Sequence, residues 1–326
     1  MPAWPVIRED KVLMRFLFVF LLFAAPAFAD ESPSLTGQQW LTKIDLAMKS
    51  LSYQGTVVFF KNGQIDAMKY RHGFEDGAEI ERLTSLNSPL REVVRKSSEV
   101  TCLYKETSKK EDGHHPIDRS FIVNLPQTSS DLDPQYLLAV AGQEMVAMRS
   151  AQVIAVLPKD EMRYARKIWV DSETALPLKV EIYGLDGNIL EQVLFTELKV
   201  EENAGNKLAV SGPNRSHDQH HHVVAAEAFE KSAYQLKNWP IGFEAVFFVR
   251  NSLQKSQKSV DHLLISDGFS DISIYFENKG SQPIEGLRSL GAVNTYSRVI
   301  GDTQVTVLGE VPAKTVQFIA AGIALR

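Results

Sequence analysis

The stretch YQGTVVFFKNGQIDAMKYRH, residues 53–72, decides the fold. Asn62-Gly63 is the strongest two-residue hairpin signal, and it sits between two runs rich in β-branched and aromatic residues. The first run is apolar on both sides, with Val57 and Phe59 pointing one way and Val58 and Phe60 the other. A sheet with one wet face alternates cleanly, so this one is covered twice over part of its area. One face packs helices, and the other lines a concave cavity or meets a second domain.

Working outward, runs of strand character fall at 80–86, 91–96, 99–104, 120–124, 152–157, 164–170, 178–183 and 189–200. The turns between them are short and rich in Gly, Asp, Asn and Pro, as at Leu185-Asp186-Gly187-Asn188, which predicts antiparallel neighbours in one long meander. Ahead of it, Thr36 caps a predicted helix with Trp40, Ile44, Met48 and Leu51 at helical spacing. A second helix is predicted over 133–141, with Pro134 in its first turn. Residues 211–222 are breaker-rich and aperiodic, a linker composition that divides a domain over 30–210 from a smaller one over 223–326. The smaller unit opens at Trp239-Pro240-Ile241-Gly242-Phe243 and carries predicted strands at 243–249, 262–266, 271–276, 293–300 and 304–308. It closes with a helix started by Pro312, whose Val316, Ile319, Ala320 and Ile323 share a face. The fold class is therefore mostly β, an α+β chain with a large antiparallel sheet and a smaller one bearing a terminal helix.

The chain has 326 residues, twice an ordinary domain length, and 44% hydrophobic with 23% charged residues is globular composition. A net charge of −5 without a dense cationic cluster argues against nucleic acid. At the amino terminus, Arg15 precedes an apolar run over 16–25 and then Pro26-Ala27-Phe28-Ala29, the pattern of an export signal over 1–29 cleaved after Ala29. Met14 is a second candidate start. The apolar run is about half a bilayer span, so removal and periplasmic localisation are expected.

The single cysteine, Cys102, excludes a disulfide framework and reads as a structural thiol in a strand. His217, Asp218, His220, His221 and His222 are dense enough to ligate a metal but lie in the linker, where nothing fixes their orientation, so no metal and no cofactor are assigned. There is no GxSxG elbow, HExxH helix or phosphate loop, and no catalytic residue is assigned. Apolar surface remains. Trp40, Phe59, Trp169 and Phe195 are the candidates for lining a lipid cavity, with core packing the default for each, and Trp239 and Phe243 for a peptide contact at the crease between domains, where core anchoring is an equal reading for Trp239 and the default for Phe243.

The order Tyr70-Arg71-His72, Leu90-Arg91-Glu92-Val93-Val94-Arg95, Arg163-Tyr164, Ile168-Trp169-Val170-Asp171, Leu176-Pro177 and Leu185-Asp186-Gly187 resembles the larger domain of the RseB/MucB family. The smaller unit is similar to that family's second domain through residues 239–243, Ser266-Asp267-Gly268-Phe269 and Leu308-Gly309-Glu310-Val311-Pro312. The resemblance implies an unclosed barrel around helices like the LolA and LolB lipoprotein carriers. It also implies a negative regulator of a sigma-E type envelope-stress response, which binds the periplasmic domain of a membrane-spanning anti-sigma factor and shields it from site-one proteolysis. Lipid or lipopolysaccharide would release it, and homo-oligomer formation is left open. A lipid or lipoprotein carrier is the alternative.

Overall fold

The computed structural model describes residues 35–87, 91–96, 99–104, 110–114, 120–126, 132, 134–201, 228–253 and 259–326. The expected signal segment and the histidine-rich linker lie outside these. Helix α1 (Gly37–Ser50) starts where predicted: Thr36 accepts from the Gln39 amide, and the Gln39 side chain accepts from the Thr36 amide, a reciprocal capping box. Leu41, Ile44, Ala47 and Met48 form its buried face.

Eleven strands then build one antiparallel sheet: β1 (Tyr53–Lys61), β2 (Gln64–Glu75), β3 (Ala78–Ser85), β4 (Arg91–Lys96), β5 (Glu99–Tyr104), β6 (Lys110–His114), β7 (Tyr136–Val146), β8 (Arg149–Pro158), β9 (Ala165–Asp171), β10 (Pro177–Tyr183) and β11 (Ile189–Val200). Their order is β6-β5-β4-β3-β2-β1-β11-β10-β9-β8-β7, so the meander folds back to pair β1 with β11 and leaves β6 and β7 as unjoined edges. Asn62-Gly63 and Asp76-Gly77 turn with positive φ at both residues, the hairpin geometry that matches strand twist. Ala147 and Met148 adopt the same left-handed pair without a glycine.

Two expectations are corrected. Residues 133–141 were expected to be helical, but only one turn forms, with the Tyr136 amide donating to the Leu132 carbonyl, before the chain becomes strand β7. The open edge of β8 offers a full row of backbone partners to an apolar run with little helical periodicity, and that wins over the Pro134 start signal. Residues 120–124 were expected to be a strand. They belong instead to an irregular segment, 120–126, whose Ile122 and Val123 are buried against the inner face of the sheet.

That inner face carries the main core. Tyr53, Val57, Met68, Tyr70, Ile154, Val156, Ile168, Val170, Val180 and Phe195 pack against Leu41, Ile44 and Met48 of α1. On the other face, Trp169, Val153, Ala151, Leu178 and Val146 form a small separate cluster, so the sheet is apolar on both sides here.

The C-terminal part begins with a 3-10 turn (Phe229–Lys231) and β12 (Tyr234–Leu236). A six-stranded sheet follows, made of β13 (Glu244–Leu253), β14 (Ser259–Ser266), β15 (Asp271–Asn278), β16 (Gly286–Leu290), β17 (Val293–Ile300) and β18 (Thr303–Gly309), in the order β13-β14-β15-β18-β17-β16. Helix α2 (Ala313–Gly322) packs Val316, Ile319 and Ala320 on it, and β19 (Ile323–Leu325) pairs with β12. The architecture is the mostly β one expected: a large unclosed antiparallel sheet and a smaller sheet with a terminal helix.

Candidate functional site

The two sheets meet through a turn and a buried charge cluster. In the turn between β14 and β15, the Asp267 carboxylate accepts from the backbone amides of Phe269 at 3.1 Å and Ser270 at 2.8 Å, an Asx-type turn. Gly268, at φ +94°, lets this turn lie against Pro126, whose Cβ would be 2.5 Å from an added methyl. The turn drives Phe269 into the core of the first sheet, where it meets Tyr136 edge to face at 5.2 Å. Asp267 also accepts from Tyr136 Oη at 2.7 Å and from Arg163 Nε at 2.5 Å. Arg163 is fully buried and also reaches Asp160 and the Ile241 carbonyl. Burial would lower its pKa, but Asp267 and its other partners raise it, and burial together with the Asp267 charge pushes the Tyr136 hydroxyl upward. Such a pair is specified by geometry rather than by net energy, because desolvation offsets much of the attraction.

Beside this cluster lies a cavity of about 240 Å³, walled by Phe59, Phe121, Val180, Ile182, Val193 and Phe269, with Arg166, Lys61, Glu191 and Glu310 at its polar end. Both sheets contribute. Arg166 is buried and bonds Ser270 at 3.2 Å and Glu310 at 3.3 Å, yet its Nη1 has no hydrogen-bond partner. Burial, and then the charge of Glu310, raise the Glu191 pKa against the opposing effect of Lys61 at 2.8 Å.

The cavity is small because the protein fills most of its own hollow. Segment 120–126 crosses the inner face as a strap, and Glu81 ties it down. The buried Glu81 carboxylate accepts from Ser120 Oγ at 2.6 Å and the Phe121 amide at 3.2 Å, and also from Tyr70 Oη at 2.5 Å and Arg95 Nε at 2.9 Å. Arg95 and His72 flank Glu79 in turn; burial would raise that carboxyl, but these partners outweigh it and hold it at about 2.

Of the aromatic residues nominated for a lipid cavity, only Phe59 lines this one. Trp40 is half-buried on α1 against the core, with Lys43 5.5 Å from its ring. Phe195 is buried among Tyr53 and Tyr70. Trp169 is on the opposite face of the sheet, donating to Glu144 at 2.8 Å beneath the Lys179 amine. Trp239 is 37% exposed, whereas Phe243 is a buried anchor 4.8 Å from the Arg163 guanidinium. The residues missed, Phe121 and Phe269, sit in non-strand segments; the one sequence signal was a bulky aromatic directly after Asp267-Gly268, where a turn residue is usually polar. Among the described residues no three His, Cys, Asp or Glu side chains cluster closely enough to hold a metal ion.

Residues 36–221 match the family described as MucB/RseB N-terminal domain, and residues 228–324 match the MucB/RseB C-terminal domain. The sigma factor AlgU regulatory protein MucB of Pseudomonas aeruginosa is 29% identical, over 95% of this chain and 98% of that protein. The sigma-E factor regulatory protein RseB of Salmonella typhimurium is 27% identical, over 96% of this chain and 97% of that protein. Among solved structures, the Pseudomonas aeruginosa MucA/MucB complex matches with a TM-score of 0.71 and 26% identity, covering 89% of this chain and 99% of that one. A crystal structure of MucB matches with a TM-score of 0.61 and 25% identity, over 89% of this chain and 98% of that one. With both parts of the sequence matched by the two domain models and both sheets covered by the solved structures, this chain belongs to the MucB/RseB family.

Proposed function

We propose that this protein is a periplasmic regulator that binds the periplasmic segment of a membrane-spanning anti-sigma factor and shields it from site-one cleavage, so repressing a sigma-E type stress response. Lipid or lipopolysaccharide entering the cavity beneath the strap releases the segment. The observation that carries this reading is the likeness to MucB crystallised with MucA, which runs through both sheets of this chain. Residues 1–29 supply the export signal such a location requires.

The geometry supports a binding role. The buried charges Asp267, Arg163, Glu81 and Arg95 are engaged in structural pairing, and the apolar cavity takes contributions from both sheets. At about 240 Å³ the cavity is below the usual range for a drug-sized ligand, so it accepts the end of an acyl chain. A longer stretch enters when strap 120–126 lifts and Ile122 and Val123 vacate the inner face. The idle Arg166 Nη1 donates to an ester or amide carbonyl beside the chain. Driving the segment from 99% to 1% bound takes about 5.5 kcal/mol of differential affinity, and about 0.8 kcal/mol per buried methylene makes a ten-carbon chain sufficient in gross terms. Only lipid that binds the free state better shifts the balance, and a ligand touching both sheets has the means to sense that state.

The test is cleavage of the anti-sigma factor's periplasmic domain by its site-one protease in the presence of the purified mature chain. Slowed cleavage, restored by an acylated lipid, is expected. Unchanged cleavage overturns the reading. The apolar cavity also favours a lipid or lipoprotein carrier; transfer of an acylated protein between membranes, with no effect on cleavage, would decide for it.

A further inference from the structure

The face of the first sheet opposite the cavity carries a depression of about 480 Å³. Its floor is the backbone of Gly55, Tyr70 and Leu198, and its rim is polar: Gln54, Lys69, Arg71, Arg82, Thr84, Glu197 and Lys199. Strand alternation places the rim residues on one face and Tyr70 on the other, within the core. Gly55 shapes the floor. A methyl there would lie 2.1 Å from the Glu197 carbonyl oxygen and 2.9 Å from the Phe195 ring, so only glycine lets β11 approach β1 at the register shift beside Thr56.

The charges on the rim do not balance. Lys69 pairs with Glu197 at 2.9 Å and Arg82 with Glu92 at 2.5 Å. Arg71 and Lys199 have no carboxylate among the described residues. Register puts both of them directly beside Gln54, one on β2 and the other on β11. Arg71 also stands directly opposite Arg82 across β2 and β3, a like-charge pairing that weakens a sheet unless something neutralises it. Arg71 Nε is buried and has no hydrogen-bond partner. A guanidinium N–H withdrawn from water without a protein acceptor is a donor available to an added one.

We propose that this depression is a binding site for a phosphate-type oxyanion, separate from the apolar cavity. Arg71, Lys199, the Gln54 carboxamide and the Thr84 hydroxyl supply donors from four strands and different directions. That suits a tetrahedral anion with several acceptor oxygens better than a planar carboxylate, which takes one fork. The same chemistry is offered by free phosphate and by a phosphomonoester lipid headgroup.

Two titrations of the full chain at 0.15 M salt separate these sources, one with inorganic phosphate by calorimetry and one with vesicles containing phosphatidic acid by co-sedimentation. Saturable binding in either is expected, and Lys199→Gln and Arg71→Gln each weaken it at least tenfold. Lys199 is exposed, so its replacement leaves the fold intact, as circular dichroism would confirm. Lys237→Gln, an equal charge change on the C-terminal part, leaves binding within twofold. Response to phosphate assigns a soluble ligand, and response to vesicles alone assigns a headgroup; both support the site. No binding in either titration, or equal losses from Lys199→Gln and Lys237→Gln, overturns it.

Discussion

Replacing Asp267 by asparagine isolates one buried contact between the two sheets. The Asp267 carboxylate is withdrawn from water and accepts four hydrogen bonds, from Arg163, Tyr136 and the amides of Phe269 and Ser270. Asparagine keeps one acceptor oxygen and turns an NH2 group toward donors, which leaves the fully buried Arg163 with the half-exposed Asp160 and the Ile241 carbonyl. Removing one member of a buried pair costs about 3–5 kcal/mol, because the remaining charge stays desolvated. With a urea dependence of about 3 kcal/mol per molar, the unfolding midpoint falls by about 1–2 M. The assay is urea unfolding of the full chain followed by tryptophan fluorescence, for Asp267→Asn, Arg163→Met and the double variant. Removing both charges abolishes the orphan, so the double variant is expected to lose at least about 2 kcal/mol less than the sum of the single losses. A single-variant shift below about 0.3 M, or strict additivity, refutes the reasoning.

Glu79 titrates at about 2 in the folded protein against an ordinary 4.5, so its contribution to stability is full above 4.5 and disappears as pH falls toward 2. Glu79→Gln is expected to flatten stability over that window in denaturant titrations at several pH values; an unchanged slope contradicts the assignment. Gly268→Ala forces a side chain into a left-handed conformation against Pro126 and is expected to cost about 1–3 kcal/mol in the same unfolding assay, with a neutral result ruling out the close approach. Phe59→Ala removes one wall of the cavity and should weaken binding of a fluorescent ten-carbon acyl probe about tenfold, whereas Trp169→Ala, altered on the other face, should leave it nearly unchanged once stability is controlled. Equal losses in both would place the acyl chain elsewhere.

Local signals were legible where local chemistry decides the outcome. Asn62-Gly63 demands a hairpin, and Thr36 and Gln39 cap α1 from within the same turn; of the doubly apolar run 57–60, Val57 and Phe59 join the core on the inner face. The failures have separate causes: the β7–β8 hairpin turns at Ala147-Met148, where no glycine announces it, whereas the others depend on partners distant in sequence. β7 is a strand because β8 has an open edge, and Phe121 to Val123 form no strand because their apolar side chains serve as filling rather than as a ladder. The anchoring of the strap was hidden too. Glu81 faces Arg95 and His72 only once the register of β2, β3 and β4 is known, and in the sequence alone those charges look like ordinary solvated groups. Of the aromatic residues nominated for a cavity, Trp40, Trp169 and Phe195 are committed to packing, and the cavity is closed by a turn and a strap as well as by strands.

The burial of Phe269 has a consequence for biogenesis. The sheet spanning residues 53–200 borrows part of its interior from a side chain encoded nearly seventy positions after its last strand. A chain emerging amino terminus first therefore exposes an unfinished hollow until the later turn follows, and closure of β1 on β11 already demands ordering across a long span. During that interval the vacant hole is the surface most open to holdase chaperones and to non-native association.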